Sequence, residues 1–178
     1  PEGITREKLD FIMELQNLYS GPIREYAEEY NCKYVEGARP WGEKGDIALP
    51  SATQNEINEE DAKKLIANGV IAVSEGANMP SRPEAIKVFQ DNKILYAPGK
   101  ASNAGGVSVS GLEMTQNAMK LSWSSEEVDE KLKSIMQNIH ESCVKYGTEP
   151  NGYINYVKGA NIAGFMKVAK AMMSQGII

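Results

Sequence analysis

The chain has 178 residues, a formal net charge of −5 and a mean hydropathy of −0.40. This length suffices to bury a hydrophobic core in one domain, or in one domain with an appendage. Acidic residues outnumber basic ones by 24 to 19 and lysine and arginine form no run, which argues against a nucleic-acid-binding role. The apolar runs are far shorter than the roughly 20 residues of a membrane helix, and no signal peptide opens the chain. We therefore expect a soluble, cytoplasmic protein.

The two cysteines, Cys32 and Cys143, lie far apart in the sequence and have no cysteine partner at metal-binding spacing. Since His140 is the sole histidine, the sequence argues against a zinc site. We expect both thiols to be reduced and buried, as is usual in cytosolic proteins. His140 is interpreted as structural rather than catalytic.

Two helices and a short strand are predicted near the amino end. The first helix, residues 6–18, follows Thr5 as its N-cap and has one apolar side. Gly21 and Pro22 then open a second helix at residues 23–30. The run at residues 33–35 is predicted to be a strand.

Three short apolar runs follow, at residues 46–49, 70–73 and 94–97, and each is predicted to be a strand. They begin at equal intervals, and a helix is predicted in each interval. Such alternation predicts parallel strands joined by right-handed crossovers. The near-continuous apolar character of the strands predicts burial on both faces of the sheet.

The two intervening helices are predicted from their end signals. Residues 59–68 form the first, which Gly69 ends. Residues 83–90 form the second, where Ser81 and Glu84 resemble a capping box. The sequence thus predicts an α/β fold that contains part of a Rossmann-like parallel sheet with its helices, followed by carboxyl-terminal helices.

Those carboxyl-terminal helices are predicted at residues 105–121, at residues 125–146 behind a capping box of Ser124 and Glu127, and at residues 161–175. The apolar face of the middle helix is predicted to be core and comprises Val128, Leu132, Ile135, Met136, Ile139 and Cys143. The inward face of the last helix is predicted to comprise Phe165, Ala169, Met172 and Met173.

Each of the three predicted parallel strands leads into a polar segment. These segments read PSATQN, EGANMP and APGKASNAGG. In open parallel sheets, ligands bind outside the carboxyl ends of the strands. In the third segment, Ala104, Gly105 and Gly106 would let backbone approach a ligand, and Asn103, Ser108 and Ser110 would offer neutral hydrogen-bonding groups. A glycine-rich turn before a helix explains the third segment about equally well, and asparagine favours loops in any case.

Four motifs together carry a family resemblance: PSATQNE, EGANMP, APGKASNAGGVSVSGLEM and NYVKGANIAGFMKVA. They resemble the carboxyl-terminal part of the hexameric bacterial glutamate dehydrogenases, over essentially the whole chain. One departure is Ser51, where family members commonly have cysteine. The resemblance implies that residues 1–120 are the remainder of a Rossmann-like nucleotide-binding domain without its first βαβ unit, and that residues 121–178 are a carboxyl-terminal helical segment.

The resemblance also implies roles for individual residues. The nicotinamide ribose and amide would be contacted by Ala52, Thr53, Asn55, Asn78 and Asn103. The substrate end would be formed by Gly106, Val107 and Ser110, with the Ser110 hydroxyl donating to the distal carboxylate of glutamate. The catalytic lysine and aspartate of the family match nothing in this chain, so we expect no catalytic residue within it and no activity from it alone.

The implied full-length protein is a homohexamer that converts glutamate to 2-oxoglutarate and ammonia with hydride transfer to NAD or NADP. Arg24 is the lone cation in the stretch MELQNLYSGPIREY, where NADP-using relatives tend to place basic residues, and this favours NAD. One alternative is another amino-acid dehydrogenase, acting on leucine, phenylalanine or valine. Ser110 argues against it, because a hydroxyl suits a carboxylate better than an aliphatic side chain. The other alternative is a non-catalytic dinucleotide-binding module.

Overall fold

The structure, a computed structural model, describes residues 3–18 and 21–176. The chain divides into two compact units, Pro1–Arg39 and Pro40–Ile178. The candidate site lies in the second unit.

The first unit contains two helices, α1 (Arg6–Leu18) and α2 (Ile23–Glu29). Both were predicted, and the Thr5 hydroxyl accepts a hydrogen bond from the Lys8 amide at 3.4 Å, as an N-cap does. The helices bury Leu15 and Ala27. The ring of Phe11 packs against the rings of Tyr26 in α2 and of Tyr30 at the end of α2.

Two predictions for the first unit are wrong. Residues 33–35 form no strand, because they pair with no other strand among the described residues, and the Val35 side chain is exposed. Cys32 is also exposed rather than buried. It lies in the turn after α2, where its thiol donates to the Tyr30 carbonyl at 3.5 Å.

The second unit is built on a parallel sheet of three strands in the order β1 (Ile47–Ala48), β2 (Ala72–Ser74) and β3 (Leu95–Ala97). Ala48 lies beside Val73, which lies beside Tyr96. The predicted parallel sheet is therefore confirmed, with strands shorter than the apolar runs that indicated them.

The crossover helices are α3 (Glu59–Ala67) and α4 (Pro83–Asp91). Gly69 follows α3 in the left-handed region, with φ of 90°, as predicted for a helix end. The predicted capping box of α4 is wrong. Its N-cap is Arg82, and Ser81 is instead fully buried, with its amide donating to a buried carboxylate of the preceding segment.

One face of the sheet is buried, and the other is partly half-buried and partly exposed. The row Ala48, Val73 and Tyr96 lies within the core, where the Tyr96 ring stacks on Phe89 of α4 at 5.5 Å. On the opposite face, Ile47 and Leu95 remain 59% and 40% exposed. The predicted burial on both faces is thus wrong for the described chain, since α3 and α4 supply core side chains only to the first face.

Four helices follow the sheet: α5 (Gly99–Ser102), α6 (Ala104–Met119), α7 (Ser125–Gly147) and α8 (Tyr156–Gln175). The capping box of Ser124 and Glu127 is confirmed, with both of its hydrogen bonds formed. Helical structure begins at Gly99, earlier than predicted. The last helix also begins earlier, because the Asn155 side chain caps it by accepting from the Lys158 amide at 3.0 Å.

The predicted inward face of α8 is largely wrong. Phe165 is 68% exposed, and Met172 and Met173 are also exposed, whereas Ala169 is half-buried. Phe165, Met172 and Met173 form an exposed apolar surface near the end of α8. The predicted core face of α7 is mostly half-buried, and Cys143 on it is buried.

The α7–α8 pair is held by a close backbone approach at Gly159. A Cβ atom added to Gly159 would overlap the Cys143 carbonyl oxygen and lie 2.8 Å from its carbonyl carbon. Since the neighbour is helix backbone, it cannot move aside as a flexible side chain would. At Gly164, farther along α8, an added Cβ meets nothing within 4 Å.

We therefore expect Gly159→Ala to lower the free energy of unfolding by about 1–3 kcal/mol, the usual cost of overpacking. The matched control, Gly164→Ala, should raise it by up to about 1 kcal/mol, because alanine is the better helix former. Urea denaturation followed by circular dichroism measures both. Equal stability of the two variants would contradict the close crossing.

Candidate functional site

Three chain segments meet at the carboxyl ends of the three strands: residues 50–55 after β1, residues 75–80 after β2 and residues 98–103 after β3. Backbone hydrogen bonds join the first two, from the Gly76 amide to the Pro50 carbonyl (2.9 Å) and from the Asn55 amide to the Met79 carbonyl (3.0 Å). The second and third are joined by the Asn103 side-chain amide, which donates to the Ala77 carbonyl at 3.0 Å. The structure thus brings together the segments in which the predicted cofactor residues lie.

Glycines allow these segments to touch. A Cβ atom on Gly76 would overlap the Ser51 hydroxyl, and a Cβ atom on Gly99 would lie 2.9 Å from the Ala77 carbonyl oxygen. A larger residue at either position would push the segments apart. The Ser51 hydroxyl donates to the Leu49 carbonyl at 3.1 Å.

Glu75 is the buried polar centre of this arrangement, and its side chain is missing from the sequence-based predictions. The residue is 3% exposed. One carboxylate oxygen accepts from the Tyr96 hydroxyl at 2.6 Å and from the Ser81 amide at 3.2 Å, and the other accepts from the Gly99 amide at 2.6 Å. Its position directly after an apolar strand was the one sequence signal of burial.

The buried environment of Tyr96 favours the neutral form of its hydroxyl, which donates to Glu75. Burial raises the pKa of Tyr96 far above its ordinary value, and the hydrogen bond to Glu75 and the negative charge of Glu75 raise this pKa further. Ser81 acts on it in the opposite, weaker sense. Tyr96 and Glu75 therefore form a fixed donor–acceptor pair beneath the candidate site.

The predicted cofactor residues of the first two segments lie on the surface. Ala52, Thr53, Asn55 and Asn78 are exposed. The Ala52 amide donates to a carboxylate oxygen of Glu56 at 3.1 Å. Within the described part of the chain, the side chains of Thr53, Asn55 and Asn78 have no hydrogen bond, so each can bond to a ligand. Asn55 adopts a left-handed conformation with φ of 56°, which asparagine tolerates better than most residues.

Asn103 lies between α5 and α6 and is half-buried. Its side-chain nitrogen is engaged by the Ala77 carbonyl. Its side-chain oxygen accepts no hydrogen bond from the described residues. Asn103 thus combines a fixed amide orientation with an open acceptor.

The predicted substrate residues lie on the first turns of α6. Gly106, Val107 and Ser110 are all exposed, Val107 at 71%. The Ser110 hydroxyl donates to the Gly106 carbonyl at 3.2 Å, so it must rotate before it can donate to a ligand.

Glycine at position 106 is required neither by a positive φ nor by packing, since an added Cβ would meet nothing within 4 Å. Glycine within a helix costs about 0.5–1 kcal/mol relative to alanine. Close approach by a molecule outside the described chain would offset that cost.

The described residues contain no group of three or more metal-ligating side chains, and no helix among them is long and apolar enough to cross a membrane.

A groove of about 650 Å³ also lies between α5, α7 and α8, and at its edge the Lys100 ammonium donates to the Asn161 side chain. The amide side chains at the strand ends are neutral and can hydrogen-bond to an uncharged ligand group.

Comparison with known proteins identifies the family of the chain. The family model described as Glutamate/Leucine/Phenylalanine/Valine dehydrogenase matches residues 1–176. A protein of Bacteroides thetaiotaomicron named glutamate dehydrogenase is 80% identical over the whole chain, and the match covers 40% of that protein. A protein of Xylanibacter ruminicola named NAD(P)-specific glutamate dehydrogenase is 75% identical over 99% of the chain and 40% of its own length.

A solved structure is similar to the chain in fold as well as in sequence. The crystal structure of Plasmodium falciparum glutamate dehydrogenase superposes on the whole chain with a TM-score of 0.92 at 46% identity, and the match covers 38% of that protein. The chain thus spans about 40% of the length of the curated relatives it matches.

Proposed function

Because the chain belongs to the glutamate/leucine/phenylalanine/valine dehydrogenase family, we propose that it supplies the nicotinamide-binding part of a glutamate dehydrogenase. The full-length protein would convert glutamate to 2-oxoglutarate and ammonia with hydride transfer to NAD(P). In this proposal residues 1–120 are the remainder of the nucleotide-binding domain and residues 121–178 a carboxyl-terminal helical segment.

The observation that carries the proposal is the cluster of unengaged neutral groups at the strand ends. Among the described residues, none hydrogen-bonds to the side chains of Thr53, Asn55 and Asn78 or to the side-chain oxygen of Asn103. A nicotinamide carboxamide both donates and accepts hydrogen bonds, and amide and hydroxyl groups match both functions. A hydride acceptor ring needs a fixed orientation, which such neutral groups supply without adding a charge beside it.

Gly106, Val107 and Ser110 form the proposed substrate end. The exposed Gly106 supports close approach of substrate, and the Ser110 hydroxyl can rotate from the Gly106 carbonyl to the distal carboxylate of glutamate. A leucine, phenylalanine or valine side chain offers that hydroxyl no acceptor. Glutamate is therefore favoured over an aliphatic or aromatic amino acid.

Coenzyme choice is proposed to favour NAD. Arg24, the cation in the relevant stretch, is paired with Glu36 at 2.8 Å and lies over the Tyr34 ring at 5.4 Å. A guanidinium held in this way is less available to a 2′-phosphate. The relative named NAD(P)-specific shows that both coenzymes occur among close relatives.

We also propose that the full-length protein is a cytoplasmic homohexamer, as the resemblance to hexameric bacterial enzymes implies. For experiments that need activity, the completed protein is defined as the Bacteroides thetaiotaomicron glutamate dehydrogenase in which this chain replaces the matching segment. Its sedimentation velocity would measure the oligomeric state directly.

The proposed nicotinamide site can be tested on the 178-residue chain by NMR titration. We expect nicotinamide mononucleotide and NAD to bind with similar dissociation constants near 1 mM, or about −4 kcal/mol, because the chain holds groups for the nicotinamide half alone. Shifted amide signals should lie in residues 50–55, 75–80 and 98–103. Asn103→Ala should weaken the binding of both ligands by the same factor. Micromolar NAD binding, or binding that Asn103→Ala leaves unchanged, would overturn the assignment.

A further inference from the structure

We propose that Glu75 is a positioning residue, which holds Asn103 in the orientation that the nicotinamide carboxamide requires. This inference rests on the proposed function. Glu75 itself is buried and is not proposed to touch the coenzyme.

The connection from Glu75 to Asn103 runs through the single helical turn of α5. The Glu75 carboxylate accepts from the Gly99 amide at 2.6 Å, which fixes the first residue of α5. The Gly99 carbonyl in turn accepts a hydrogen bond from the backbone amide of Asn103 at 2.8 Å. Glu75 therefore holds one end of α5, and Asn103 is bonded to that same residue.

A second connection runs through the backbone of Glu75. The Ser102 hydroxyl, directly before Asn103, donates to the Glu75 carbonyl at 2.6 Å. Two residues beyond Glu75, the Ala77 carbonyl accepts from the Asn103 side-chain nitrogen at 3.0 Å. The Asn103 side-chain nitrogen is thus held by the segment that Glu75 anchors, and the side-chain oxygen accepts no hydrogen bond from the described residues.

The chemistry of Glu75 explains why a carboxylate suits this place. All three hydrogen bonds to its side chain come from donors: the Tyr96 hydroxyl and the amides of Ser81 and Gly99. A carboxylate has two acceptor oxygens, whereas glutamine has one oxygen and a nitrogen that donates. Glu75→Gln keeps the size of the side chain but sets a donor against a donor at one or more of these contacts.

The test is a double-mutant cycle in the completed protein, measured as kcat/KM for NAD at saturating glutamate. Asn103→Ala should lower kcat/KM about tenfold, the usual value of a hydrogen bond. Glu75→Gln should cause a similar loss. If Glu75 acts through Asn103, the double variant should lose about tenfold as well, because neighbouring residues that act as a unit are not additive.

Tyr96→Phe is the matched control. It removes the hydroxyl that donates to Oε1 of Glu75 and leaves the hydrogen bond from the Gly99 amide to Oε2 in place. We expect a lower melting temperature with kcat/KM within about twofold of the unchanged protein. If the Glu75→Gln protein fails to assemble, Glu75→Asp replaces it in the double-mutant cycle. Aspartate is one methylene shorter than glutamate, so both carboxylate oxygens are drawn back from their donors.

The outcomes separate the two proposals. Independent losses that multiply to about 100-fold, or a Tyr96→Phe loss equal to that of Glu75→Gln, would overturn the role of Glu75 while leaving Asn103 in the site. No loss with Asn103→Ala would overturn both the site assignment and the role of Glu75. A loss of about tenfold with Glu75→Gln alone, together with a double variant no worse than Asn103→Ala alone, supports the proposal. No loss with Glu75→Gln alone would overturn the role of Glu75.

Discussion

Alone, the 178-residue chain is expected to give no glutamate-dependent reduction of NAD or NADP. The catalytic lysine and aspartate implied by the family resemblance match no residue in it. General acid–base catalysis typically contributes about 10²- to 10⁴-fold to a rate, and the groups that bind the substrate α-carboxylate would be absent as well. The measurement is the absorbance of reduced nicotinamide with purified chain, glutamate and coenzyme.

The completed protein is the positive control in the same assay. Host glutamate dehydrogenase is the main hazard, so the chain should be prepared from a host that lacks that enzyme. Turnover that persists in such preparations and follows the concentration of the chain would contradict the assignment of catalysis to a segment outside it.

In the completed protein, Ser110→Ala should weaken glutamate recognition and leave coenzyme binding nearly unchanged. A hydrogen bond to a charged group contributes about 1.5–3 kcal/mol, so kcat/KM for glutamate should fall about 10- to 150-fold. The loss should fall mainly on KM, because the distal carboxylate is remote from the carbon that loses hydride and is bound similarly in the ground and transition states.

Thr115→Ala is the matched control for this variant. Thr115 is also exposed on α6, and its hydroxyl donates to the Gly111 carbonyl at 2.9 Å, as Ser110 does to the Gly106 carbonyl. It should leave glutamate kinetics unchanged. Equal effects of the two variants, or a lower melting temperature of Ser110→Ala without a kinetic change, would mean that Ser110 acts on α6 rather than on substrate.

The parallel sheet was predictable because its signals are local. Each strand is a short apolar run, and helix end signals such as Gly69 and the Ser124 capping box involve residues within one turn of each other. The positions of the three polar segments were predictable for the same reason, since they directly follow the strands.

Most of the wrong predictions concern features that depend on distant partners, although the α4 capping box was a local signal. Residues 33–35 have strand-like composition, but no strand lies beside them in the described part of the chain. Phe165 and Met172 have the spacing of an inward helix face, but no described element covers them. The length of the relatives, about two and a half times that of the chain, is consistent with such faces being covered in a longer protein.

Glu75 shows a different limit of sequence reasoning. A single acidic residue in a polar segment has the composition of the surface, and the three donors that bury it come from Tyr96, Ser81 and Gly99. These residues are 6 to 24 positions away. Their convergence depends on the sheet register, which places β3 beside β2.

We propose that this chain supplies the nicotinamide and distal-carboxylate recognition of a glutamate dehydrogenase. The property to measure is kcat/KM of the completed protein for glutamate and for leucine, at saturating NAD, after the assembled oligomer has been isolated. We expect turnover with glutamate and a preference for glutamate over leucine that Ser110→Ala reduces. An assembled protein that fails to oxidise glutamate, or oxidises leucine faster, would rule out this function.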